Sequence, residues 1–207
     1  MAAIRRRRRL RASIQLERIG HFVAGVPART AAKLGGVNRN TAILHFHTLR
    51  EMIAQRLAEE APFLDGARKG KRGRGAVGKV SAFGLLKRGG SVHTIMISDA
   101  KSRTLLGIIR KRLKPASVVY TDGFTSYDVL DVSEFRHHRI NHSEKFAEAR
   151  NHIIGIENFW SQAKRPKRRY NGIPKDHSHL LLKECEWRFN HRPADNLLRT
   201  LREWAKV

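Results

Sequence analysis

The sequence predicts an α/β fold, a mixed sheet flanked by helices, which follows an all-α N-terminal domain. Apolar residues recur at helical spacing throughout residues 10–58. Over residues 76–207, short apolar runs alternate with amphipathic stretches, as is typical of strands and helices packed in layers. Residues 59–75 are rich in Gly, Lys and Arg and predict a linker, and residues 1–9 form a basic tail.

The charge of the chain indicates the class of its partner. Its 207 residues contain 42 Lys and Arg against 18 Asp and Glu, which gives a formal net charge of +24 at pH 7. This excess argues against an ordinary metabolic enzyme with neutral substrates and predicts a polyanionic partner, most often nucleic acid. A hydrophobic share of 41% excludes a wholly disordered basic protein.

Cysteine usage and hydropathy indicate the compartment. Cys185 is the only cysteine, which excludes an intramolecular disulfide and a cysteine-rich zinc site. The sequence has no apolar run of the ~18 residues that predict a membrane span. The basic run near the start lacks the apolar segment of a secretory signal. We therefore expect a cytoplasmic, nucleoid-associated protein with no membrane partner.

Glycine and proline divide the N-terminal part into three predicted helices. Gly25 and Pro27 separate the first helix from the second. Gly35 and Gly36 end the second, because glycine tolerates the left-handed conformation of a tight turn. Asn38 can cap the third. A short helix, a glycine turn and a helix with a polar start are typical of a helix–turn–helix. The third helix is expected to bury Ile43, Leu44, Leu49, Ile53 and Leu57.

Four polar residues are expected to face outward near the start of the third helix. They are Arg39, Asn40, Thr41 and His45. Arg and Asn in such positions can contact guanine and adenine edges in a major groove. The alternative is a plain three-helix bundle with a solvated basic face. The high positive charge favours DNA binding.

Basic segments outside the helices are expected to contact phosphates. In the linker these residues are Arg68, Lys69, Lys71 and Arg72. Neighbouring glycines would let this backbone lie close to a phosphate. A solvated loop is the alternative. The arginine run at residues 5–9 predicts either non-specific phosphate contact or a solubilising tail.

The C-terminal part predicts strands and helices in mixed order. The predicted strands span residues 80–86, 92–97, 118–121 and 139–141, with a hairpin turn at residues 87–90. The predicted helices span residues 102–113, 125–130, 153–164, 179–189 and 196–207. Two antiparallel strands, a crossover helix and a buried strand indicate the mixed sheet.

Two carboxylates and one lysine are candidates for chemistry. Asp122 follows the strand at residues 118–121, and strand ends of open α/β sheets collect catalytic groups. Glu157 interrupts an apolar helical face, where a carboxylate is costly unless paired or metal-bound. Lys164 follows two turns later on the same face. Carboxylates from distant segments suit Mg²⁺ and phosphodiester transfer. The alternatives are a turn-forming Asp, a Glu at a solvated helix edge and an ordinary surface Lys.

Several motifs resemble bacterial insertion-sequence transposases with an ISXO-like DDE domain. They include Asp122-Gly-Phe-Thr-Ser-Tyr127, Arg139-Ile-Asn-His-Ser143, Gly155-Ile-Glu-Asn-Phe-Trp160 and residues 70–75, 83–90 and 182–190. Residues 21–50 resemble the helix–turn–helix of that family. The resemblance implies an RNase H-like catalytic domain and strand transfer with Mg²⁺ or Mn²⁺. It also implies double-stranded DNA partners, both transposon ends and target, and a homo-oligomer on the DNA.

The resemblance also assigns roles to particular residues. Asp122 and Glu157 correspond to the second and third acidic ligands of the metal. Lys164 corresponds to a basic residue that touches the transposon end. The implied function is binding of terminal inverted repeats, followed by metal-dependent DNA cleavage and strand transfer.

The chain departs from the family where the first catalytic Asp is expected. The family carries that Asp on a strand just before the basic, glycine-rich loop. Here residues 59–67 contain Pro62 and Gly66, which disfavour a central strand. The central first strand is therefore expected to be missing, with Asp65 or Glu60 as the substitute ligand. The alternative function is a catalytically inactive DNA-binding remnant that competes with, or represses, transposition.

The remaining polar and aromatic candidates have structural alternatives. The sequence crowds four histidines at His137, His138, His142 and His152, with a spacing that matches no standard zinc site. The resemblance places them around the active-site groove. Glu184 and Glu186 are expected at the helix surface or in structural pairs, and Trp187 in the core.

Overall fold

The computed structural model describes most of the chain. The described residues are 11–59, 81–87, 90–121, 124–139, 153–169 and 174–207. The helices are α1 (Ala12–Val23), α2 (Ala28–Leu34), α3 (Arg39–Glu59), α4 (Ser102–Arg112), α5 (Ile153–Arg169), α6 (Ser178–Asn190) and α7 (Ala194–Ala205). The strands are β1 (Ser81–Leu86), β2 (Val92–Ile97), β3 (Val118–Thr121) and β4 (Arg136–Arg139). Two 3-10 helices span Thr125–Val132 and Lys175–His177.

The three predicted N-terminal helices are confirmed, and local chemistry explains the turn between α2 and α3. Gly36 has φ +58°, a left-handed conformation that favours glycine. This turn lets the N–H of Val37 donate to the carbonyl of Ala32 at 3.0 Å. Asn38 then caps α3, because its Oδ1 accepts a hydrogen bond from the N–H of Asn40 at 2.8 Å.

The buried face of α3 differs from the predicted one. Ile43 and Leu44 were predicted in the core, but they are 42% and 54% exposed. The residues that α3 buries are Ala42, Phe46, Leu49, Ile53 and Leu57. The ring of Phe46 packs edge-on against Phe22 of α1, with centroids 5.2 Å apart. Packing this large ring inward turns Ile43 and Leu44 towards solvent.

The N-terminal helices share one hydrophobic core with the last two helices. Its buried members are Ile19, Phe22, Ala31, Phe46, Leu49, Ile53, Leu57, Trp187, Leu197, Leu201 and Ala205. The prediction that Trp187 is a core residue is confirmed, since its side chain is fully buried. The division of the chain into a unit at residues 10–58 and a unit at residues 76–207 stays a prediction.

Two buried glutamates connect α6 to its neighbours. Glu184 accepts hydrogen bonds from Arg50 of α3 at 2.7 Å and from Arg188 at 2.8 Å. Arg188 also donates to the carbonyls of Val23 and Phe22 at the end of α1. Glu184 is 2% exposed, so of the two alternatives the structural pair is the observed one.

Glu186 joins α6 to β2. Its carboxylate accepts hydrogen bonds from the N–H of Thr94 at 2.9 Å and from the Thr94 hydroxyl at 2.6 Å. Lys183 donates to the same carboxylate at 2.7 Å and to the Thr94 carbonyl at 2.8 Å. Glu186 is 1% exposed and is a structural pair as well. Its charge is compensated by donors on both elements.

In the described residues the strands form two separate two-stranded sheets. β1 and β2 pair antiparallel, and β3 and β4 pair parallel, with Thr121 opposite Arg139. The last strand begins at Arg136, earlier than predicted, and residues 140 and 141 lie outside the described residues. The predicted single mixed sheet and its RNase H-like order are not confirmed. The described part of the chain contains no strand besides these four.

Helices cover both faces of the β1–β2 pair. Leu105 and Ile109 of α4 pack with Phe83 of β1 and Val119 of β3 in one cluster. On the other face, α5 and α6 pack through Phe159, Leu181 and Cys185 against Val92. No helix among the described residues combines the length and apolar character needed to cross a membrane.

Candidate catalytic site and nucleic-acid interface

Close packing against β1 fixes α5, the helix that carries Glu157. A Cβ added at Gly84 of β1 would lie 2.9 Å from the Trp160 ring. A Cβ added at Gly155 of α5 would press on the end of the Leu86 side chain, which would have to move. Glycine at these two positions therefore lets α5 approach β1 closely. The packing therefore defines the position of α5 on β1.

This packing turns Glu157 towards solvent. Phe159 is 1% exposed and Trp160 packs against the core beside it, whereas Glu157 is exposed. Glu157 thus lies at a solvated edge of α5, and its role as a metal ligand stays a prediction. An exposed carboxylate is accessible to a cation.

Lys164 lies two turns beyond Glu157 and is also exposed. Residues seven apart point in nearly the same direction on an α-helix. Lys164 also borders a cavity of about 130 Å³ between α5, α6 and the β1–β2 sheet, lined mainly by apolar atoms. The two side chains thus mark one exposed stripe of α5, as the sequence spacing predicted.

A chain of hydrogen bonds fixes the carboxyl ends of β3 and β4. The Thr121 hydroxyl lies 2.7 Å from Nε2 of His137, and Nδ1 of His137 lies 2.6 Å from Oδ1 of Asp131. Arg139 contacts Asp131 and lies 3.0 Å from Asp128. The hydrogen bond from His137, together with the charge of Arg139, lowers the pKa of the Asp131 carboxyl.

This network ends at Thr121, the residue before Asp122. Asp122 itself lies outside the described residues, as do Asp65 and the four basic linker residues Arg68, Lys69, Lys71 and Arg72. That Asp122 and Asp65 lie close to Glu157 stays a prediction. The network was not predicted from the sequence. Strand alternation over residues 136–139 could have indicated it, because it directs the side chain of His137 to the covered face.

The described residues supply one candidate metal ligand, Glu157, and no complete ligand set. No three His, Cys, Asp or Glu side chains come together in them as a metal-binding group. Of the two predicted ligands, Glu157 supplies an exposed carboxylate, which is the donor type that Mg²⁺ and Mn²⁺ accept. Glu157 therefore fits a divalent cation by its chemistry and accessibility.

The start of α3 presents the predicted polar surface only in part. Arg39 and Asn40 are exposed, whereas Thr41 and His45 are half-buried. Prediction missed Leu44, which points outward one turn after Asn40. Arg29 and Lys33 of the preceding helix α2 are exposed, as is Arg39. The sequence has no Asp or Glu between residues 18 and 50.

Comparison with known proteins gives the family. The family model for the ISXO2-like transposase domain matches residues 45–190, from within α3 to the end of α6. A transposase-like protein of Haemophilus influenzae is 56% identical over 115 residues, which are 56% of this chain and 94% of that protein.

A second relative is more distant. A protein of the transposable element ISH50 of Halobacterium salinarum is 30% identical over 141 residues. The match covers 65% of this chain but about half, 48%, of that relative. No solved structure matches the chain. Because the family model covers well over half of its length, the chain belongs to the ISXO2-like transposase family, as its motifs suggested.

Proposed function

We propose that the chain is a DNA transposase that binds the terminal inverted repeats of its element and catalyses metal-dependent DNA cleavage and strand transfer. The family match over residues 45–190 is the observation that carries this proposal. The exposed stripe of Glu157 and Lys164 on α5 supports it, because it offers a carboxylate to a metal ion and a cation to the DNA backbone. The net charge of +24 suits a polyanionic substrate.

In this proposal the catalytic residues are Asp122 and Glu157, with Asp65 as the substitute for the first acidic ligand. Asp122 and Glu157 would hold Mg²⁺ or Mn²⁺, which supplies positive charge at the scissile phosphate. Water attacks that phosphate and breaks its bond to O3′, which leaves a 5′-phosphate and a free 3′-hydroxyl. This hydroxyl then attacks a phosphate of the target DNA and displaces the 3′-oxygen of the target strand. Lys164 holds the transposon end beside Glu157.

DNA binding is proposed for the helix–turn–helix at residues 10–58 and for the basic linker at residues 59–75. Arg39, Asn40, Thr41 and His45 would contact the repeat. Arg68, Lys69, Lys71 and Arg72 would contact phosphates, as would the tail at residues 1–9. Catalysis would belong to residues 76–207. Two ends must be paired for transposition, so we propose a homo-oligomer on DNA, at the nucleoid in the cytoplasm.

A second candidate is a catalytically inactive DNA-binding remnant that competes with an intact transposase or represses it. The observation that favours it is the division of the described strands into two pairs. Residues 59–67, where the family's first strand is expected, contain Pro62 and Gly66. A site short of one carboxylate would bind DNA ends without cutting them.

One assay separates the two candidates. A labelled duplex that carries the element's own terminal repeat is incubated with the full chain and Mn²⁺, and nicks are mapped. The variants are Asp122→Ala and Glu157→Ala, with Glu203→Ala, an exposed glutamate of α7, as the matched control.

The outcomes of this assay differ clearly. Nicking at the repeat boundary that Asp122→Ala and Glu157→Ala abolish, but Glu203→Ala preserves, supports the transposase. Asp65→Ala then tests the substitute ligand. Binding of the repeat without nicking overturns the catalytic proposal and supports the remnant. Absence of binding contradicts both candidates.

A further inference from the structure

We propose that the outward stripe of α3 recognises A·T base pairs, with Asn40 at an adenine edge and with Leu44 and Ile43 against thymine methyl groups. The inference rests on the proposed DNA binding and adds a base preference to it. The contact with thymine methyls is its distinctive part, because it assigns a role to two side chains that the core does not use.

The side chains of Leu44 and Ile43 point away from the core. Leu44 and Ile43 are 54% and 42% exposed, whereas the apolar side chains of Phe46, Leu49, Ile53 and Leu57 on the same helix are buried. Leu44 lies one turn from Asn40 and one turn from Thr48, so the three form one stripe. The Thr48 hydroxyl donates to the carbonyl of Leu44 at 3.1 Å and is therefore already satisfied.

The charges on α2 and α3 indicate what covers the stripe. Arg29 and Lys33 of α2 and Arg39 of α3 are exposed, and no acidic residue occurs between residues 18 and 50. The first turn of α3 also lacks an acidic residue, which leaves the positive end of the helix dipole uncompensated. A second copy of the chain would bring like charges against these cations. The phosphates that border a major groove would neutralise them.

The side-chain chemistry then selects the base pair. Asparagine matches adenine through two hydrogen bonds, to N6 and N7, and apolar side chains contact the thymine methyl group. Asn40 donates its backbone N–H to Asn38, and its exposed side-chain amide makes no hydrogen bond to the described residues. An Asn followed one turn later by Leu thus fits adenine and thymine at adjoining positions of an A·T-containing site.

The test separates the methyl contact from DNA binding in general. The full chain selects duplexes from a pool of randomised 25-mers (about the span of two helical turns), and the preferred duplex is resynthesised with uracil in place of thymine. Uracil lacks only the methyl group. We expect A·T enrichment in the selected core and about a four-fold loss of affinity per contacted methyl, as the burial of one such group predicts.

Matched variants assign the effect to the stripe. Leu44→Ala and Ile43→Ala should each reduce the thymine preference, and the double variant should bind the thymine and uracil duplexes equally. Val132→Ala removes another apolar side chain that is 87% exposed, far from α3 in sequence, and should keep the thymine preference. Asn40→Ala should lose the preference for adenine.

Three results would overturn the inference in distinguishable ways. Equal retention of thymine and uracil duplexes by the unmodified chain overturns the inference but leaves DNA binding intact. Failure to retain any duplex overturns the proposed DNA binding as well. Self-association that Leu44→Ala abolishes, without a thymine preference, assigns the stripe to a second copy of the chain and overturns recognition of A·T pairs.

Discussion

The carboxylate of Glu184 lies 2.7 Å from the guanidinium of Arg50 and ties α6 to α3 across 134 residues of sequence. The side chains are 3% and 16% exposed. Glu184 holds Arg188 as well, and Arg188 stacks over the ring of Phe22 at 5.1 Å. The end of α1, the middle of α3 and the end of α6 thus meet at one charged cluster beside the core.

We expect Glu184→Ala to destabilise the chain by about 3 kcal/mol, because two arginines lose the carboxylate that compensates them. Arg56→Ala is the control, since Arg56 and Glu59 form a pair that is 43% and 50% exposed. That substitution should cost under about 1 kcal/mol. Urea unfolding of both variants measures the difference, and equal midpoints would contradict the structural role of Glu184.

Thr94→Val should cost about 2 kcal/mol, because the buried Glu186 carboxylate loses its 2.6 Å hydrogen bond from the hydroxyl. Valine keeps the shape of threonine, so packing is preserved. Thr48→Val is the matched control, because the Thr48 hydroxyl is exposed and bonds only within its own helix. Thermal unfolding should distinguish the two; a Thr94→Val variant as stable as Thr48→Val would refute the link between α6 and β2.

Gly84→Ala should destabilise the chain by about 1–3 kcal/mol, because its methyl group would press on the Trp160 ring. Gly107→Ala is the opposite case. Gly107 lies inside α4 with no atom within 4 Å of an added Cβ, so alanine should stabilise that helix by about 0.5–1 kcal/mol. The denaturant midpoint should fall for Gly84→Ala and rise for Gly107→Ala. An unchanged midpoint for Gly84→Ala would show that α5 can shift away from β1.

The Asp131–His137 contact predicts an acid-dependent loss of stability. The folded pKa of Asp131 is lowered by the His137 hydrogen bond and by Arg139. Its contribution is therefore complete above the unfolded pKa of about 3.9 and is lost as the pH falls through the lower folded value. Asp131→Asn should be less stable than the unmodified chain at pH 6, and the gap should narrow as the pH falls below about 4.

Urea midpoints measured from pH 6 to pH 2 test this dependence. Asp176→Asn serves as a control, because this exposed aspartate makes no ion pair with the described residues. A gap for Asp131→Asn that stays constant over the whole range would mean that the carboxylate contributes by packing and not by charge.

Local signals predicted the N-terminal helices but not their packing. Glycines and Asn38 mark the helix ends because turns and caps depend on adjacent residues. The buried face depends on distant partners. On α1 the structure buries Arg18 at 1% exposure, and this burial lowers the pKa of its guanidinium. No local pattern favours a buried arginine at that position. The exposed Ile43 and Leu44 escaped prediction for the same reason.

The part of the candidate site that lies on one helix, α5, was predictable from the sequence. The spacing of Glu157 and Lys164 placed both on one face of α5, and both are exposed there. The Thr121–His137–Asp131 network brings together two strands and a 3-10 helix. Such a contact depends on strand register, which hydrophobic pattern alone does not specify for a four-residue strand.

The core that α1 and α3 share with α6 and α7 has a consequence for synthesis of the chain. Phe22 and Phe46 leave the ribosome well before Trp187 and Leu201, which cover the same core. The nascent N-terminal helices therefore cannot complete the burial of their apolar surface until α6 and α7 have been translated. A growing chain would expose that surface to chaperones, and a protein cut short by a stop codon before α6 would be a substrate for proteolysis.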